Sequence, residues 1–397
     1  MSNMTVTPKP SRALWIDYLR SFITVLVVAH HSSLAYTTFA HFSKPVYILS
    51  THPIVDRQRW IGMDIFENFN DVFFMSLMFL IGGFFIVPSL RKKGVLSFVR
   101  DRFYRLFIPF FVGVAVLMPV AYYPSYQMAS GNSDLKAYII DFFTTEGWPC
   151  GPPWFIWVLF LFNLVAALIF PYTTGLLNRF GGWLLRHKNS VAVIFLLWLL
   201  ITWILYLPMR WQFGADAWTG FKPFYFQKSR LLLYFGYFVF GAVIGSIDLE
   251  NGLFSTASPF VRRWPRWLLR CVLAYFLLIG LERPLSGLIN AGRIGLWPAR
   301  LIYGTLYVLS CTLSNIAFLT TFRALIKFPR RWWDSLSSNA YGIYLIHYLP
   351  VIWCQYLLLN VTMPVPVKFG ITFVVALSLS WGLTHLLRRS GLIRRYL

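Results

Sequence analysis

Apolar runs alternate with shorter polar, mostly basic segments along the whole chain. Ten runs come close to the length needed to cross the hydrocarbon core of a bilayer: 14–36, 69–88, 104–123, 154–171, 190–208, 230–247, 266–281, 297–320, 340–359 and 367–387. Gly236, Gly241, Gly245 and flanking charge weaken the sixth and seventh. The pattern predicts an all-α polytopic membrane protein of about ten transmembrane helices, with residues 1–397 forming one integral domain. No internal repeat or low-complexity tract interrupts it. The first run keeps Asp17, Arg20 and two histidines and lacks a small-residue cleavage site, so it reads as a span and not as a cleaved signal.

Composition agrees with this class. Hydrophobic residues make up 57% of the chain and charged residues 13%, too little polar surface for a soluble protein of this size. The net charge of +22 raises nucleic acid as a partner. Its distribution points to the lipid bilayer instead. The N-terminus, 89–105, 172–189, 248–270, 321–339 and the tail hold 23 of the 36 Lys and Arg residues, against 12 on the alternate connections. This bias predicts cytoplasmic termini and places 37–68, 124–153, 209–229, 282–296 and 360–366 outside. The cysteines form no readable framework; Cys271, Cys311 and Cys354 lie in apolar runs and Cys150 in a connection, so neither a disulfide nor a metal site is expected.

Chemistry concentrates in the first run, WIDYLRSFITVLVVAHHSSLAY. At 100° per residue, Asp17, Thr24 and His31 fall within about 60° of Arg20, whereas His30 points about 80° the other way. His31 lies about 16 Å along the axis from Arg20. A buried polar group satisfied by a neighbouring helix is the plain alternative, but an intramembrane histidine marks a functional site by default. Histidine is also the side chain best suited to take a proton near neutral pH.

Four further places carry candidate residues. Asp64, Glu67, Asn68 and Asp71 share one face at the start of the second span, continued by Met75 and Met78. They either favour the helix dipole or line an external vestibule that orients a hydroxyl acceptor or partners His31. Arg102 and Arg105 share a face ahead of Pro109, with Arg100 nearby; topology demands basic residues there, and two such arginines also match phosphate groups. Tyr344 and His347 adjoin on the ninth span, as functional groups or as helix-to-helix polar contacts. Glu146 is an external acid or simply an exposed loop carboxylate. The aromatic stretch 209–229 serves as an interfacial girdle or as a platform on which sugar rings stack.

The spacing of Asp17, Arg20 and His31 resembles the first helix of the bacterial membrane-bound acyltransferase family 3, which includes polysaccharide O-acetyltransferases and glucan succinyltransferases. His31 to Tyr36, HSSLAY, is similar to the glucan-modifying branch. MFLIGGFF, where Gly82 and Gly83 would allow close helix approach, PPWFIWVLF, and the run from Ser337 to His347 resemble further family patterns. The resemblance implies an inner-membrane acyltransferase that moves an acetyl- or succinyl-class group from cytoplasmic acyl-CoA to a hydroxyl, with a carbohydrate as the expected acceptor. It implies Arg102 and Arg105 as the holders of the donor phosphates and His31 as the base, with Asp17 and Arg20 fixing the helix end. No serine-elbow motif is visible, which favours direct transfer over a covalent acyl-enzyme. A membrane transporter or flippase is the alternative, because intramembrane charges also mark substrate pathways. The chain ends soon after the tenth run, so the fused external esterase-like domain of some relatives is expected to be absent.

Overall fold

The computed structural model describes residues 13–247, 249, 252–391 and 393–396. Its helices are α1 (Leu14–Leu34), α2 (Ile61–Lys93), α3 (Val95–Ser130), α4 (Leu135–Thr144), α5 (Trp154–Arg186), α6 (Val191–Phe213), α7 (Leu231–Gly245), α8 (Trp264–Asn290), α9 (Leu296–Leu325), α10 (Arg331–Ile346), α11 (Tyr348–Leu358) and α12 (Val365–Leu387). A two-stranded antiparallel hairpin, β1 (Trp218–Phe221) and β2 (Phe224–Gln227), interrupts the helical chain between α6 and α7, with Trp218 opposite Gln227.

Seven helices among the described residues are long and apolar enough to cross a membrane: α2, α3, α5, α6, α8, α9 and α12. The other three expected spans fall short for separate reasons. α1 has the length but carries Asp17, Arg20 and two histidines. α7 has 15 residues. The ninth span breaks at His347, where α10 gives way to α11. Pro350 supplies no N–H to the carbonyl four residues back at Ile346, which explains the break.

Helices also run further than the apolar pattern predicts. α2 begins at Ile61, so Asp64 to Asn68 lie within it and not in a loop. The expected connection 89–105 is helical up to Gly94, whose φ of 73° turns α2 into α3. The segment 172–189 continues α5 as far as Arg186, and 124–153 holds the end of α3 and all of α4. α3 contains Pro109 and Pro124, which leave the carbonyls of Arg105 and Val120 without their helical donors. Tyr341 Oη donates to the first at 2.6 Å and Trp353 Nε1 to the second at 2.9 Å. The prolines thereby tie α3 to α10 and α11.

The core lies where α1, α2, α7 and α9 meet. Leu19, Ile23, Phe73, Leu77, Leu80, Phe84, Leu233 and Ile316 are fully enclosed. A side chain at Gly83 would collide with the Phe238 carbonyl, and one at Gly241 with the Leu80 carbonyl, so these glycines let α2 and α7 pack backbone to backbone. Gly82 instead faces Leu159 of α5. α8 and α12 turn long apolar rows outward, including Leu269, Leu273, Phe276, Val375, Leu379 and Leu383, as lipid-facing helices do.

Candidate active site

At the C-terminal end of α1 a cavity of about 1310 Å³ opens, with His31 in its wall. Around it stand the segment joining α1 to α2, the loop before α5, the hairpin, and the near ends of α8 and α9. Glu67, Asn68 and Asp71 line it too, so three residues of the α2 polar face share one chamber with His31 of α1.

Two accepting groups fix the protonation of His31. Its Nδ1 lies 2.9 Å from the Val27 carbonyl, which only accepts, so Nδ1 carries hydrogen. The same Nδ1 lies 3.1 Å from His347 Nε2. His347 Nδ1 in turn lies 2.7 Å from the Tyr344 carbonyl and must donate to it, which leaves Nε2 as the acceptor for His31. Every contact agrees with one tautomer, in which His31 Nε2 keeps a lone pair. A proton taken there creates an imidazolium whose Nδ1–H is held by two acceptors, the arrangement a general base needs. Tyr348 packs edge-on against the His31 ring at 5.2 Å.

The remaining expected residues take different places. Glu67 pairs with His30, its Oε1 3.9 Å from His30 Nε2, and not with His31. His30 itself is buried and does not line the cavity, its ring edge-on to His31 at 5.2 Å. Asp71 is held by Arg230, Oδ2 to Nη2 at 2.7 Å, with the Asp71 carbonyl accepting from Nη1 at 3.2 Å. Neither carboxylate therefore partners His31, although both share its chamber. Asp17 and Arg20 form an ion pair at 3.4 Å at the opposite end of α1 and do not line the cavity. There Ser337 donates to the Asp17 carbonyl, and Tyr18 bonds Asp334 at 2.9 Å, joining α1 to α10. The ties at both ends of α1 hold His31 and His347 in register.

Arg102 and Arg105 lie on α3 outside the cavity; Arg102 covers the Phe98 ring at 4.9 Å and Arg105 is exposed. Tyr344 directs its hydroxyl to the Pro152 carbonyl and serves His31 only through its own backbone carbonyl. Glu146 is not an exposed loop acid. It is 6% exposed, lines the cavity and accepts the Ile48 N–H at 2.8 Å, and burial pushes its carboxyl up. Cys150 is buried too, and burial pushes its thiol up to about 12. No group of three or more His, Cys, Asp or Glu residues suited to a metal ion occurs among the described residues.

Several site residues escaped the sequence reading. Arg230, 4% exposed, reaches from the residue before α7 to Asp71 and to Asp216 at 3.6 Å. Gln355 donates to the carbonyls of His31 and Ser32 at 3.1 and 3.2 Å. Lys368 and Asp56, both enclosed, pair at 2.6 Å and pin the α1–α2 segment to α12. A lone Gln or Lys in an apolar run was the available signal for the last two.

The acyltransferase family 3 domain, described as an acyltransferase domain, matches residues 13–385. No curated protein and no solved structure matches the chain.

Proposed function

This chain belongs to acyltransferase family 3 and is a multi-pass membrane acyltransferase, and from that premise we propose that it moves an acetyl- or succinyl-class group from cytoplasmic acyl-CoA to a hydroxyl of a carbohydrate in the cell envelope. The observation that carries this reading is the His31–His347 contact, which leaves His31 Nε2 unprotonated in the wall of a cavity large enough for a sugar. In the reaction His31 takes the acceptor's hydroxyl proton as the oxygen attacks the thioester carbonyl. It returns that proton to the departing thiolate, so the histidine ends as it began.

The lining of the cavity suits a polyhydroxyl acceptor. Five carboxylates line it (Glu67, Asp71, Glu146, Asp216 and Glu282) against three arginines (Arg210, Arg230 and Arg300). The hydroxyl groups of a neutral acceptor find many hydrogen-bond partners among these side chains. The donor phosphates belong instead to Arg102 and Arg105, on the side that the basic bias makes cytoplasmic. Tyr341 holds the Arg105 carbonyl, and His347 follows Tyr341 by about 9 Å along the helix, so an acyl arm from that mouth has a short way to travel. In this reading the chain crosses the bacterial inner membrane ten times with both termini cytoplasmic.

The test is acyl-CoA consumption by the purified full chain in detergent with a glucose oligosaccharide as acceptor. His31→Ala should abolish transfer with membrane expression intact, and His30→Ala should keep much of it. Equal transfer by His31→Ala and wild type sinks the mechanism, and no consumption by wild type sinks the activity.

A further inference from the structure

A second histidine faces the same chamber. His52 lies on the segment between α1 and α2, lines the cavity and is 1% exposed. Its Nε2 is 2.7 Å from Gln355 Oε1. The Gln355 amide cannot be turned round, because its nitrogen already donates to the carbonyls of His31 and Ser32. Oε1 therefore accepts, and His52 Nε2 carries hydrogen. Burial holds the ring near a pKa of about 4, so it is neutral at physiological pH and Nδ1 keeps its lone pair. No protein donor among the described residues takes that lone pair. His52 and His31 both stand edge-on to the same Tyr348 ring, at 5.9 and 5.2 Å.

We propose that His52 is an acceptor-positioning residue, whose Nδ1 receives a hydrogen bond from a second hydroxyl of the acyl acceptor while His31 engages the hydroxyl that reacts. The acceptor class follows from this arrangement. Two unprotonated imidazole nitrogens on one wall accept two hydroxyl donors, which favours a polyol such as a sugar ring over a simple alcohol. Gln355 couples the two histidines, since one amide orients the His52 ring and holds the backbone of His31. The proposal rests on the acyl-transfer reading for the identity of the reacting hydroxyl, but its test does not need transfer to occur.

The experiment measures binding of a glucose tetrasaccharide to the full chain in detergent by calorimetry, for wild type and three variants. His52→Asn keeps an acceptor oxygen at the position of Nδ1 but cannot reach Gln355. His52→Gln reaches Gln355 with a donor amide but has no acceptor at the Nδ1 position. If His52 holds a hydroxyl, His52→Ala and His52→Gln weaken binding on the order of fivefold, the loss of one neutral hydrogen bond, and His52→Asn stays near wild type. Rescue by Gln and not by Asn assigns His52 a purely structural role and overturns the proposal. So does unchanged binding by His52→Ala, or no binding by wild type. Where transfer occurs, the same pattern should appear in KM for the acceptor, with kcat little changed. A chain that binds the sugar in this pattern yet consumes no acyl-CoA removes the acyltransferase mechanism and leaves the His52 assignment standing.

Discussion

Replacing His347 tests the base directly, because His347 touches His31 and nothing else in the proposed reaction. In the resting enzyme His31 Nδ1–H is shared between the Val27 carbonyl at 2.9 Å and His347 Nε2 at 3.1 Å. A proton arriving at Nε2 charges the ring and strengthens both bonds. Hydrogen bonds to charged groups contribute roughly 1.5–3 kcal/mol. Here the donor keeps its shorter partner when His347 is lost, so the lower end applies, and kcat for His347→Ala should fall about tenfold. The Ala variant also leaves a void where a fully buried ring stood, so thermal stability must be followed in parallel. His347→Gln separates the two effects, because its amide oxygen restores an acceptor near the Nε2 position. The assay is acyl-CoA consumption at saturating donor and acceptor. A kcat within twofold of wild type for His347→Ala, or Gln no better than Ala at equal stability, refutes the two-acceptor account of the base.

Other perturbations reach other parts of the molecule. Arg102→Ala and Arg105→Ala should weaken acyl-CoA binding more than the Lys variants do, because lysine keeps the charge and loses the fork; unchanged donor affinity in both Ala variants would reduce the pair to a topology signal. Lys368→Met strands the Asp56 carboxylate, which is 2% exposed, and should cost roughly 3–5 kcal/mol of stability, read as a lowered melting temperature. The double variant Lys368→Met, Asp56→Leu should recover most of that loss, and failure to recover would show that the pair is not the source. For sidedness, Asn132→Cys should react with an impermeant thiol reagent from outside and Lys92→Cys should not; the reverse pattern inverts the topology and removes the donor assignment. The sequence placed Cys150 outside, where it would mask this experiment, but a buried thiol raised to about 12 should stay unlabelled in the native protein.

What periodicity could reveal and what it could not is plain from α1 and its neighbours. Angular position on one helix brought Asp17, Arg20, Thr24 and His31 to a stripe, since that depends only on residue number and helical pitch. It set His30 apart from His31: His30 lies beside Glu67, and His31 lines the cavity. Apolar run length located each of the seven helices among the described residues that are long and apolar enough to cross a membrane, but it misplaced their ends. Gly94 ends α2 and starts α3 at once, whereas Pro109 and Pro124 do not end α3, because side-chain donors from α10 and α11 meet the freed carbonyls.

Partner identity was beyond the reach of any single-helix argument. Nothing local distinguishes an Asp71 that serves His31 from one that clamps Arg230, 159 residues away, because only tertiary packing brings α7 against α2. The same holds for Glu146, whose loop position suggests exposure until the α1–α2 segment closes over it. That segment is the part least legible in sequence. Its residues are neither apolar enough for a span nor patterned enough for a helix, yet it brings His52 to Gln355, Asp56 to Lys368 and Ile48 to Glu146. Each of these contacts joins a polar group of the loop, a side chain or the Ile48 backbone N–H, to a buried polar partner, and a polar group that cannot reach water must find such a partner. The isolated polar residues inside apolar runs, Gln355 and Lys368 among them, are therefore the places where a sequence of this kind announces a docking loop. The loop they dock here carries a wall of the candidate active site.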